Sequence, residues 1–122
     1  MAKSRYRNWL AYEKAFALSM ELSRAAKSFP RAECYSLTDQ LRRASRAVCA
    51  NLAEAHAKSS YPKHWFSKLS DSAGENNETQ TWIAFAESER YITPEQAQHF
   101  QSTSEEVSRL LNYMQRNREK FL

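Results

Sequence analysis

Residues 36–58 read Ser36-Leu37-Thr38-Asp39-Gln40-Leu41-Arg42-Arg43-Ala44-Ser45-Arg46-Ala47-Val48-Cys49-Ala50-Asn51-Leu52-Ala53-Glu54-Ala55-His56-Ala57-Lys58. Leu37, Leu41, Ala44, Val48, Leu52 and Ala55 recur at spacings of three or four, which gathers them on one face of a helix. Ser36, with Asp39 three positions later, is a variant of the capping-box pattern at its start. The whole chain shares this bias. It has 17 alanines, one glycine (Gly74), and only Val48, Val107, Ile83 and Ile92 as β-branched aliphatics. Alanine favours helix and β-branched residues favour sheet. Hairpin turns, dinucleotide-binding turns and phosphate loops need glycines at fixed offsets, and a chain with one glycine cannot supply them.

The same periodicity runs outward in both directions. Ala11, Ala15, Leu18, Leu22, Ala25 and Phe29 predict a first helix over about 6–28, and Tyr12, Phe16 and Met20 add a second apolar row beside it. So wide a face suggests contact with more than one neighbour. Pro62 opens a third segment, 62–89, carrying Trp65, Phe66, Leu69, Ala73, Trp82, Ile83 and Ala86. Thr93-Pro94-Glu95-Gln96 caps a fourth, 94–120, whose seam is Ala97, Phe100, Ser104, Val107, Leu111, Met114, Arg118 and Phe121. The expectation is an all-α fold: one domain over 1–122, an antiparallel up-down-up-down four-helix bundle joined by short connections.

Lysine and arginine number 18 against 14 aspartates and glutamates, a formal charge of +4. The excess is uneven, with 11 basic and 5 acidic side chains in residues 1–58 and 7 and 9 in residues 59–122. A basic half suits an anionic partner such as RNA or DNA, or is simply a solvated helical surface. Arg42, Arg43 and Arg46, followed by Lys58 and Lys63, are the candidate phosphate contacts; Lys3, Arg5 and Arg7 form either an arm or a solvated end. Gln40, Arg43, Asn51 and Glu54 share a polar stripe beside the apolar seam of the second segment. That stripe suits a structural network, with Glu78 of the third segment as partner for Arg43. Trp9, Trp65 and Trp82 suit a core or interface first and base stacking second.

Catalytic signatures are missing. There is no G-x-S-x-G and no H-E-x-x-H. No arginine stands before His56, His64 or His99 at the spacing used by helical-bundle ribonucleases of the HEPN type. Glu75 and Glu78 lack the histidines of a di-iron bundle. No cofactor, metal or enzymatic activity is expected. Two cysteines without a C-x-x-C, no apolar span and no apolar leader predict a soluble cytoplasmic protein without membrane contact.

Several stretches also resemble one family. Phe29-Pro30-x-x-Glu33-x-Tyr35-x-Leu37-x-x-Gln40-x-Arg42-Arg43-Ala44 is similar to the signature of the 23S rRNA intervening-sequence proteins. Asn51-Leu52-Ala53-Glu54 resembles that family's N-I-A-E-G; Ser72-Ala73-Gly74-Glu75-x-x-Glu78 and Tyr91-Ile92-Thr93 resemble its later blocks. Ala55 and Arg90 stand where the family has glycine, and Gly74 keeps a motif position that suits close helix packing. The resemblance covers roughly residues 9–115. It implies a four-helix bundle assembled as a ring-shaped homopentamer, with no established catalytic activity. It also implies kinship to the accessory protein of diversity-generating retroelements, which binds a reverse transcriptase and its RNA. Two functions remain open on the sequence: a nucleic-acid-binding scaffold, or an adaptor that docks a protein such as a reverse transcriptase without touching nucleic acid.

Overall fold

A computed structural model describes residues 5–122; Lys3, of the basic N-terminal group read as an arm or a solvated end, lies outside them. Four α-helices, α1 (Leu10–Ala26), α2 (Leu37–Ala57), α3 (Pro62–Ser88) and α4 (Pro94–Arg116), are accompanied by 3-10 turns at Arg5–Asn8, Arg31–Glu33 and Arg118–Phe121. The described residues contain no strand. None of the helices is long and apolar enough to cross a membrane.

Several boundaries differ from the periodic pattern, each for a local reason. Trp9 is extended (φ −65°, ψ 133°), so α1 starts at Leu10 rather than near Tyr6. Asn117 (φ −131°, ψ 45°) separates α4 from the last turn. Ser36 makes no side-chain cap; instead the Leu37 N–H donates to Glu33 Oε1 at 3.3 Å, so a carboxylate upstream of the expected box faces the positive end of α2. The box at α4 forms as expected, with Gln96 N–H donating to Thr93 Oγ1 at 3.1 Å and Thr93 N–H to Gln96 Oε1 at 2.9 Å. Arg90, where the family carries glycine, is the one non-glycine residue with positive φ (62°) among those described. Its N–H bonds Glu87 O and the Tyr91 N–H bonds Ala86 O, both at 2.9 Å, which is the Schellman closure of a helix.

Inter-helix pairs run in opposite residue order on α2 and α3: Arg43 meets Glu75 and Glu78, Ser72 donates to Val48 O, and Lys68 meets Glu54. The core behind them is two apolar clusters rather than one continuous seam. Trp9, Val48, Leu52, Trp65, Leu69, Val107 and Leu111 fill one end. Leu18, Leu22, Leu41, Ile83, Ala97 and Phe100 fill the other. Each fully buried leucine contributes about 1.5–3 kcal/mol.

A polar belt lies between the clusters. Ser19 and Ser45 share a hydrogen bond of 2.9 Å. Asn76, 1% exposed, donates to Ser104 O (2.9 Å) and Ser108 Oγ (2.8 Å) and accepts from Ser104 Oγ (2.9 Å). All four hydrogen bonds join different helices, and burial makes them costly to leave unmade. The inward face of α3 therefore reads Ser72, Asn76, Thr79 at mid-height, a stretch that hydrophobic periodicity passes over.

Gly74 is a correction. It is exposed, and a Cβ built there meets nothing within 4 Å. No helix of the bundle approaches it, so close packing within the subunit is not the reason for the glycine.

Candidate nucleic-acid interface

The arginines of α2 diverge because successive side chains on a helix point to different sides. Arg43 faces α3. Its guanidinium donates through Nη1 to Glu75 Oε2 at 2.8 Å, through Nη2 to Glu78 Oε1 at 2.6 Å and through Nε to Gln40 Oε1 at 3.2 Å. The bond to Glu75, more than the one to Glu78, raises its pKa above the ordinary arginine value. Arg42 faces α1 and donates to Ser23 O at 3.4 Å. Arg46 is exposed on that same side and, among the described residues, has no ion pair.

The expected polar stripe thus comes together only in part. Gln40, Arg43 and Glu78 meet, with Glu75 as a fourth member. Asn51 turns back to Ala47 O at 2.9 Å, and Glu54 holds Lys68 at 2.6 Å, which raises the Lys68 pKa. These contacts are half exposed, so each is worth about 0–1 kcal/mol.

Lys58 and Lys63 stand elsewhere, at the end of the bundle where α2 stops and α3 begins. The chain termini fold against that same end. Trp9 packs on Phe121 (ring centroids 5.9 Å apart) and on His56 (5.8 Å), while Arg118 lies over Trp65 (5.8 Å) and donates to Ser59 O at 2.5 Å. This juxtaposition gathers Arg5, Arg7, Lys58, Lys63, Arg116 and Lys120, all exposed. None of the six forms an ion pair among the described residues. Lys120 instead donates to Tyr113 Oη at 2.8 Å, a bond that raises the lysine pKa. A shallow groove of about 290 Å³ runs beside it, lined by Arg109, Asn112, Tyr113, Arg116 and Asn117.

Counted by height, residues 5–14, 51–70 and 105–122 at this end carry ten basic and five acidic side chains; residues 15–50 and 71–104 at the other carry seven and nine. The sequence split between halves becomes a split between ends. Division of the chain into halves hides Arg109, Arg116 and Lys120, because they belong to the net-acidic half. The available signal was local: basic residues crowd the last stretch of the chain, where a helix C-terminus favours cations.

Trp9 (6% exposed) and Trp65 (0%) are core residues and do not stack on bases; Trp82 is half-buried. Cys49 is largely buried, which pushes its thiol up to about 12, while Cys34 is exposed; both are free.

The family model of the 23S rRNA-intervening sequence proteins matches residues 7–113. The chain belongs to that family. A crystal structure of a protein of unknown function from the S23 ribosomal protein family of Bacteroides thetaiotaomicron has the same fold, with a TM-score of 0.80 at 22% identity. The likeness covers 93% of this chain and 99% of that one. No curated protein matches.

Proposed function

We propose that the protein is a non-enzymatic, oligomeric scaffold that holds RNA or DNA by its phosphates on the basic end of the bundle. The carrying observation is the group Arg5, Arg7, Lys58, Lys63, Arg116 and Lys120, exposed together with no carboxylate within ion-pairing distance among the described residues. A cation already held by a carboxylate or a carbonyl has little to offer a phosphate, so Arg43 and Arg42 serve the fold and the end group serves binding. Arg46 remains a flanking contact.

The assembled form in this reading is the ring-shaped homopentamer of antiparallel bundles that family resemblance implies. The opposite residue order of α2 and α3 supports the antiparallel part. One subunit offers only a few phosphate contacts, and five tethered copies convert them into avidity. Two free thiols fit a reducing cytoplasm.

Fluorescence anisotropy with labelled RNA and DNA, taken against salt, tests this. Neutralising Lys58, Lys63 and Arg116 to alanine lowers affinity by roughly tenfold or more. It also flattens the salt slope by about 2–3, since each neutralised phosphate contributes about 0.7–0.9 to that slope. Unchanged affinity and slope would remove the basic end from the proposal. No binding by the native chain, together with capture of a reverse transcriptase or other protein after nuclease digestion, would leave the adaptor function in its place.

A further inference from the structure

In the second apolar row of α1, Tyr12 packs partly on the core, whereas Phe16 and Met20 stay largely uncovered. Phe16 is 51% and Met20 43% exposed, and Tyr12 stacks on Phe16 with ring centroids 6.0 Å apart. Two concavities share Tyr12 and Phe16: one of about 280 Å³ lies in the α1–α2 groove, and one of about 540 Å³ is lined by α1 and the turn before it. The charged groups at their edges are Arg7, Arg46 and Glu13, and Arg42 is pinned nearby against Ser23. The groove is apolar with a cationic rim.

A second unpartnered patch lies on the other side of α2, in the α2–α3 groove near the opposite end. Phe85, 54% exposed, packs on Trp82 with centroids 5.8 Å apart above Leu37. The charged residues lining this cleft of about 250 Å³ are Glu33 and Glu89, with no cation among its lining. The Trp82 indole N–H is itself buried, without a hydrogen-bond partner, beneath the exposed Phe85. This patch is aromatic with an anionic rim.

We propose that a second copy of this chain seats its Trp82–Phe85 patch in the Tyr12–Phe16–Met20 groove, with Glu33 and Glu89 turned toward Arg46. The proposal rests on the oligomeric-scaffold reading and assigns the two faces that build it. Each copy carries one patch of each kind on different sides of α2, so the contact is head-to-tail and every copy has one donor face and one acceptor face. Such contacts propagate until the rotation closes a ring. Groove-to-groove pairing would oppose cation to cation, and patch-to-patch pairing carboxylate to carboxylate, which disfavours both symmetric alternatives.

Light scattering after size exclusion, at micromolar concentration, tests the assignment with two charge-reversing variants. Phe16→Asp with Arg46→Glu disables the groove; Phe85→Lys with Glu89→Lys disables the patch. Both alter exposed positions, and circular dichroism checks that each remains helical. Each variant alone is expected to run at monomer mass. Their equimolar mixture should stop at twice that mass, because one intact groove and one intact patch remain. A variant that fails to fold is replaced by Met20→Cys with Phe85→Cys in a Cys34→Ser chain, which should form intermolecular disulfides under mild oxidation. A native oligomer that both variants preserve, or a mixture that stays monomeric, overturns the face assignment and leaves the scaffold reading standing. A monomeric native chain overturns both.

Discussion

The two ends of the bundle differ in how far their polar groups are tied into the fold. At the end holding Phe29 and Tyr91, side chains close the chain upon itself. Glu33 meets the α2 N-terminus and accepts from Tyr91 Oη at 2.9 Å, which raises the tyrosine pKa; Thr93 and Gln96 cap α4, and Arg90 completes the Schellman turn of α3. At the end holding Trp9 and Phe121, Arg118 donates to Ser59 O and Lys14 and Lys68 pair with Glu106 and Glu54, while six neighbouring cations remain exposed without an ion pair among the described residues. A count of charges along a chain therefore differs from the charge available to a partner. That difference depends on which carboxylates the fold brings within reach.

The largest expected effect is the binding loss on neutralising Lys58, Lys63 and Arg116, and the comparison requires that the melting temperature move little with it. The reverse should hold at the capped end. Thr93→Ala removes a cap worth about 1 kcal/mol, lowering the melting temperature by a few degrees with unchanged nucleic-acid affinity. A loss of binding there would erase the distinction between the ends.

Glycine content sharpens the same contrast. Gly74→Ala, midway along α3 in open space, should stabilise by about 0.5–1 kcal/mol. Arg90→Gly relieves a left-handed conformation that costs about 1 kcal/mol, less the added freedom of the unfolded chain, for a net gain of roughly half that. Thermal melts of the two variants check both signs. The smallest effect is that of Arg43→Ala, at most about 1 kcal/mol and fading in high salt, with nucleic-acid affinity held within about twofold. A large binding loss would return Arg43 to the interface.

Much of the fold was legible because helix formation is local. The 3- and 4-residue spacing of Leu37, Leu41, Ala44, Val48, Leu52 and Ala55 marks a buried face, and all six are buried. Thr93-Pro94-Glu95-Gln96 marked a cap that forms. What eluded the pattern was polar and non-local. Asn76 looks like a surface residue until α3 packs it against Ser104, a seam position of α4, and Glu33 caps α2 only because the turn at Arg31–Glu33 folds it back. The candidate site was legible in half. Lys58 and Lys63 belong to the group free of ion pairs, Arg43 does not, and Arg116 and Lys120 join it from the far end of the chain.

By itself the sequence determined helix number, the buried faces and, through its motifs, the family, because these depend on neighbours three or four positions away. Only the tertiary structure decided which cations are free, where the core turns polar and which aromatic rows lack a partner. Those properties depend on residues dozens of positions apart, and pairing across helices follows from packing rather than from order along the chain.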